Sequence, residues 1–217
     1  MNYQGSYSYN QKLIVTGVYS VTTDFFANIF EITGDNRNQI IPRNMDKVVN
    51  YGLNINYPFE ISKSWNFVGF INAYYREYEG SLEGTNIDLS VNNYNFRMQN
   101  NIKLPWDITL DLTYFIENNW IWRGSINVRG NQELNLGLRK NFLDKRLQIR
   151  VTGADIFKTT NNYFYDGNYG GIALDGVRGF DTQRFGMGLT FKFGNLKAKN
   201  EIKTKSALDD ELNRIDN

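Results

Sequence analysis

The chain has 217 residues with 24 Lys or Arg and 23 Asp or Glu, and a formal charge of +1 gives no broad positive footprint for a nucleic-acid partner. It has no Cys and no His, which excludes disulfides, thiolate metal sites and the usual general base, so no cofactor and no enzyme activity are expected. No apolar run reaches the roughly eighteen residues of a spanning helix, but 14 Tyr, 15 Phe, 4 Trp and 19 Gly beside only 3 Pro suit a pleated sheet.

The mean hydropathy of −0.50 fits a soluble chain, yet a transmembrane barrel alternates lipid-facing and lumen-facing residues and averages out in the same way. Period-two alternation is the better signal, and nine segments carry it. The first sets Tyr3, Gly5, Tyr7 and Tyr9 against Gln4, Ser6 and Ser8; the second sets Leu13, Val15, Gly17, Tyr19 and Val21 against Lys12, Ile14, Thr16, Val18 and Ser20. In the third, Val49 to Phe59 at every second position oppose Asn50, Gly52, Asn54 and Asn56. The fourth, from Trp65 to Arg76, is blurred by Val68, Phe70 and Tyr74 on its second face. The fifth sets Tyr94, Phe96, Met98, Ile102 and Leu104 against Asn93, Asn95, Arg97, Gln99, Asn101 and Lys103, and the sixth runs from Ile108 to Glu117. The seventh is read as one strand from Ile126 to Arg139, the eighth from Leu147 to Thr152, and the ninth from Arg184 to Phe193.

Short connections fall at Asn10–Gln11, 60–64, 105–107 and 141–145, and longer ones at 24–46, 79–91 and 158–180, with a brief link at 120–125. In an antiparallel meander alternate connections share one end, so one end is expected to carry tight turns and the other loops, as in outer-membrane barrels. Alternation by itself also fits a half-buried soluble sheet. Three features favour lipid. The segments run about ten to fourteen residues, where soluble strands average about five to six and a tilted spanning strand needs roughly nine to eleven. The apolar faces carry no charge through their centres, where an Arg or Lys would cost about 2 to 4 kcal/mol. Aromatics gather at strand ends: Phe59, Trp65, Trp106, Phe142 and Phe193 beside the turns, and Tyr78, Trp120 and Trp122 beside the loops.

The expected fold is all-β, an antiparallel up-and-down transmembrane β-barrel meander of about nine long strands over residues 1–194, with a charged tail at 195–217. Nine strands in sequential order cannot close with an antiparallel seam, so the barrel is expected to be incomplete. In the tail, Ser206 and Asp209 make a capping-box-like start, and Leu208, Leu212 and Ile215 share one helical face, so either a short helix or a disordered extension fits.

The ending "RFGMGLTFKFG" resembles the last strand of outer-membrane barrels, with Gly188, Phe191 and Phe193 matching the terminal pattern that resembles the signal read by the barrel-assembly machinery. The run "LGLRKNFLDKRLQIRVTGADIF", a Gly- and Asn-rich loop and that last strand together are similar to the C-terminal part of TonB-dependent receptors. The resemblance implies a larger barrel that holds a plug domain and takes up a nutrient with energy from the TonB complex. It also implies residence among the lipids of a Gram-negative cell outer membrane, with the tail in the periplasm. Neither a plug nor a TonB-contacting box is present in these residues.

Two sets of residues are candidates for contact with a solute. Asn161, Tyr163, Tyr165, Asn168 and Tyr169 lie in an Asn-, Tyr- and Gly-rich loop that could bind substrate, although turn chemistry explains it equally well; the Asp-Gly pairs at 166–167 and 175–176 suggest tight turns. Arg97, Arg129, Glu133, Arg139 and Arg150 fall on the polar face and are expected to line the lumen, as solvated charges or as contacts to a plug or solute. Two alternatives to the receptor remain open: a small autonomous outer-membrane barrel of structural or adhesive role, and a soluble sandwich or lipocalin-like binding module.

Overall fold

A computed structural model describes residues 1–10, 12–33, 37–82, 85–122, 124–169 and 172–193. All of the regular structure is β: β1 (Asn2–Tyr9), β2 (Leu13–Thr33), β3 (Arg37–Ser62), β4 (Trp65–Leu82), β5 (Thr85–Leu104), β6 (Ile108–Glu117), β7 (Trp120–Trp122), β8 (Ile126–Val128), β9 (Asn131–Phe142), β10 (Leu147–Ala154), β11 (Asn162–Tyr169), β12 (Ile172–Gly179) and β13 (Arg184–Phe191). Nine of them form one antiparallel meander, β1-β2-β3-β4-β5-β6-β9-β10-β13, and the other four form a second sheet, β12-β11-β8-β7. No helix among the described residues is long and apolar enough to cross a membrane.

The register joins the nine separate alternations into one phase. Val15 pairs with Ile55, Ile55 with Ile71, Ile71 with Phe96 and Phe96 with Ile116, and one residue along, Ser6, Thr16, Asn54, Asn72, Asn95, Glu117 and Asn131 form an unbroken polar row. Partners in a ladder share a face, so the sheet has one apolar side and one polar side. A soluble sheet would bury the apolar side; here Tyr7, Tyr51, Leu53, Ile71, Leu138, Val151 and Leu189 all remain exposed, Leu189 to 67%.

The same register gives the tilt. The row Val15–Ile116 lies two residues above Leu13, the turn end of β2, but eight residues above Ile108, the turn end of β6. Six residues at about 3.3 Å against four strand spacings of about 4.8 Å is an inclination of about 45°, at the upper end of the 35–45° of membrane barrels. On β4 the apolar side is bounded by Trp65 and Tyr75; ten residues at that tilt reach about 23 Å, close to the 25 Å apolar band of such barrels.

Above this band the expected long loops at 24–46 and 79–91 are instead hairpins that continue β2–β3 and β4–β5. The ladder skips Asp24, whose φ of 53° is left-handed, and beyond it the apolar parity changes sides. Ala27, Ile29 and Met45 turn inward to join Val48, Tyr78 and Ile87 in the buried core, with Phe25, Leu89 and Ile121 packed on it. Tyr78, expected at an interface, is therefore a core residue, 3% exposed, and the loop-side girdle on β3–β6 is made by Tyr51, Tyr75, Tyr94 and Tyr114. Tyr78 needs no rotation: three residues from Tyr75 and paired with Val48, it falls on the inward side by ordinary alternation, whereas Ala27, Ile29 and Met45 keep the parity of the lipid face and turn inward only beyond Asp24.

The seventh segment also divides. Ile126 and Val128 belong to β8 in the second sheet, and Asn131 starts β9 in the first. Between them Gly130 lies against the end of β6 so closely that a Cβ would overlap the Glu117 carbonyl, while its N–H donates to Asn119 Oδ1 at 3.0 Å. The loop at 158–180 is mostly the β11–β12 hairpin, and both Asp-Gly pairs sit within strands, Asp166 opposite Asp175, rather than in turns. Pairing of Tyr165 and Asp166 with β8 overrides the turn preference of those dipeptides. The tail at 195–217 lies outside the described residues.

Candidate functional site

The polar face meets the second sheet at the loop end, and a cleft of about 300 Å³ lies there, lined by Arg97, Thr113, Phe115, Glu117, Trp120, Asn131, Glu133, Asn135 and Tyr163. Strand register places the side chains. Arg97, Phe115 and Glu133 share one row across β5, β6 and β9, and Asn95, Glu117 and Asn131 share the next. The Arg97 guanidinium sits 5.3 Å from the Phe115 ring centroid, within range of a cation–π attraction. Asn135 Nδ2 donates to Glu133 Oε1 at 2.6 Å, and buried Asn93 donates through Nδ2 to Glu117 Oε1 at 3.3 Å and to the Asn119 carbonyl at 3.1 Å.

Tyr163 reaches the cleft from β11. Burial pushes its phenol above the ordinary range, the carboxylates of Glu133, Glu117 and Asp155 add to that, and a hydrogen bond with Asn131 opposes it. Its ring packs edge-on against Phe180, 5.4 Å between centroids at 85°. Trp120 Nε1 is buried with no acceptor among the described residues.

Asp155, just after β10, holds the second sheet in place. Its Oδ1 accepts from the Thr159 amide at 2.9 Å and the Thr159 hydroxyl at 3.0 Å. Its Oδ2 accepts from the Thr160 amide at 3.1 Å, the Thr160 hydroxyl at 2.7 Å and the Thr182 hydroxyl at 2.6 Å. Burial by itself would raise the Asp155 pKa, but these hydroxyls and amides outweigh it and hold the carboxyl well below the usual range.

The cleft brings together Arg97, Glu133 and Tyr163 from the two expected sets. Arg129 is not in the lumen wall: it follows β8, its N–H donates to the Phe164 carbonyl at 2.9 Å and its guanidinium lies 5.7 Å from the Phe164 ring centroid. Arg139 and Arg150 face each other across β9–β10 toward the turn end, and Arg150 faces Gly188 on β13. The Asn161 carbonyl accepts from the Phe180 amide at 2.7 Å at the base of the hairpin, and the Tyr165 ring fills the space a Cβ of Gly176 would take. The backbones of Asn168 and Tyr169 pair with Ala173 and Ile172, and their side chains lie outside the described set. Phe191 and Phe193 meet edge-on at 4.7 Å beside the turn end. Glu117, Trp120, Asn131 and Asp155 belong to the cleft and its support but not to the sequence candidates; for Asp155 the signal was present, as Thr159 and Thr160 follow at spacings that let hydroxyls bond back.

A family model described as the outer membrane protein beta-barrel family matches residues 1–192. The chain belongs to that family. None of the curated proteins and none of the solved structures matches it. The exposed apolar side of this outer-membrane barrel sheet therefore faces lipid, which removes the soluble sandwich or lipocalin-like alternative. Among the described residues no group of three or more Asp or Glu side chains could hold a metal ion.

Proposed function

We propose that these strands are the C-terminal part of a TonB-dependent receptor that takes up a nutrient across the outer membrane, with turns in the periplasm and the second sheet outside the cell. The observation that carries the reading is the pair of open edges. Among the described residues β1 bonds only β2, and β13 only β10; as first and ninth strands of an antiparallel meander they run in the same direction. Each unpaired backbone group facing hydrocarbon costs several kcal/mol, and an antiparallel seam between parallel-running edges needs an odd number of further strands. A wider barrel with a polar wall suits a plug and a solute path, and the cleft at Arg97, Trp120, Glu133 and Tyr163 is the part of that wall equipped to contact a solute. Gly188, Phe191 and Phe193 are then the strand read by the barrel-assembly machinery.

The test is nutrient uptake by cells carrying the complete gene. Growth on a scarce solute that is lost both on deleting the gene and on removing TonB supports the receptor; uptake indifferent to TonB, or a reading frame in which a signal peptide joins residue 1 directly, sinks it.

A further inference from the structure

The inward row Phe70–Arg97–Phe115–Glu133 crosses β4, β5, β6 and β9. It puts a cation and an anion on opposite sides of one aromatic ring, two strand spacings or about 10 Å apart at the backbone. The two charges do not answer each other. Among the described residues neither Arg97 nor Glu133 has an ion-pair partner, and Arg97 is exposed while Glu133 is half-buried.

A second arginine on the same inward side shows how a guanidinium is tied down when its work is structural. Arg76 lies 4.9 Å from the Tyr74 ring centroid, and it also donates through Nε to Asn50 Oδ1 at 3.2 Å and through Nη1 to the Tyr78 hydroxyl at 3.4 Å. Arg97 lies over Phe115 in the same manner, 5.3 Å from the centroid, but its five N–H donors have no acceptor among the described residues. Glu133 is held in place. Asn135 Nδ2 donates to its Oε1 at 2.6 Å, and Asn135 Oδ1 in turn accepts from the Asp155 amide at 2.9 Å.

A fixed carboxylate and an uncommitted guanidinium across an apolar ring match a solute that is itself dipolar. A neutral solute would leave both charges unanswered, and a solute of one sign would leave one of them so. A free amino acid carries its two charges on a single carbon, too close together to reach both sides of the ring. An extended residue spans about 3.3 to 3.6 Å, so a dipeptide separates its ammonium and carboxylate by roughly 6 to 7 Å. The cleft of about 300 Å³ has the volume of about ten liquid waters, the size of a dipeptide rather than of a longer chain.

We propose, resting on the receptor reading of this cleft, that it binds a zwitterionic dipeptide, with the carboxylate on Arg97, the ammonium on Glu133 and the peptide unit over Phe115. Equilibrium binding is measured on the complete purified protein in detergent, with alanylphenylalanine, its N-acetyl form, its C-terminal amide and maltose as probes. The free dipeptide is expected to bind, and blocking either end to weaken binding about ten-fold or more, the loss of one charge-assisted hydrogen bond. Glu133→Gln is expected to abolish discrimination against the N-acetyl form and keep that against the amide, and Arg97→Gln to do the reverse, with heat-modifiable gel mobility reporting that the barrel is folded. No binding of the dipeptide, equal binding of free and blocked forms, maltose bound as tightly, or discrimination unchanged in the folded variants each overturns the proposal. The comparison of free and blocked forms on the wild type decides the matter even if neither variant folds. Binding needs no TonB, so uptake indifferent to TonB sinks the receptor reading, whereas TonB-dependent uptake by a protein that binds no dipeptide sinks this assignment alone.

Discussion

At Asp155 one carboxylate fixes the connection from β10 to the β11–β12 hairpin, taking five hydrogen bonds from three threonines. Hydrogen bonds to a charged group are worth about 1.5 to 3 kcal/mol each and are not additive, so Asp155→Ala is expected to cost the connection about 3 kcal/mol, seen as faster proteolysis within 155–183. Because the folded carboxyl titrates below its unfolded value of about 3.9, this stabilisation is complete above about pH 4 and is lost as pH falls through the depressed folded value. Wild-type protection of the segment should therefore fall on acidification below pH 4, and protection in Asp155→Ala should not change over that range. Asp175 is the opposite case. It stands directly across from Asp166, like charges in such a position destabilise by about 0.2 to 1 kcal/mol, and Asp175→Asn is expected to slow amide exchange in the hairpin. Unchanged or faster exchange would remove the repulsion from the account.

At the scale of elements, the turn end is built from hairpins that twist with the strands. Trp106 and Asp107 both have positive φ, as do Leu143, Asp144 and Lys145, with Ile108 N–H donating to the Pro105 carbonyl and Arg146 N–H to the Leu143 carbonyl. Leu104 pairs with Ile108 and Phe142 with Leu147, so these connections span three and four residues, and the left-handed residues reverse the chain within them. An L side chain there costs roughly 1 kcal/mol, so Lys145→Gly is expected to raise the urea midpoint of unfolding; a lowered midpoint would mean that the Lys145 side chain supplies more than its backbone costs. The loop end follows different rules. Segments 24–46 and 158–180 are rich in turn residues, which reads as loop, yet among the described residues 25–33 pair with 37–45 and Asn162–Tyr169 with Ile172–Gly179, because a neighbouring strand accepts their backbone groups. Pairing over such distances leaves no mark in a local window, and Gly130, which separates β8 from β9 by its close approach to Glu117, is one unremarkable letter in the sequence.

For the whole molecule, the two sides of one sheet meet two solvents, and neighbouring residues test that. Ile71 lies on the lipid side near mid-band and Asn72 on the polar side. Ile71→Arg is expected to lose about 2 to 4 kcal/mol of folding stability in bilayers, while Asn72→Arg loses well under that; equal losses from reversible unfolding in vesicles would refute the assignment of sides. Of the candidate site, Arg97, Glu133 and Tyr163 were legible, the first two from their face and the third from the composition of its segment. Arg129 was misplaced because one unbroken alternation was read through Gly130, and Trp120 was read as an interface anchor although it lines the cleft.

Nine alternating segments, their polar and apolar faces and the alternation of short and long connections follow from the sequence alone, because a period of two is a property of the strand itself. What only the tertiary structure decided is everything set by register. It aligns the nine faces, inclines the strands by about 45°, moves the apolar parity inward beyond Asp24, and brings Trp120 and Tyr163 from the second sheet to Arg97 and Glu133. Register depends on which distant backbone groups pair, and that choice is made by the packing of the whole sheet rather than by any segment of it.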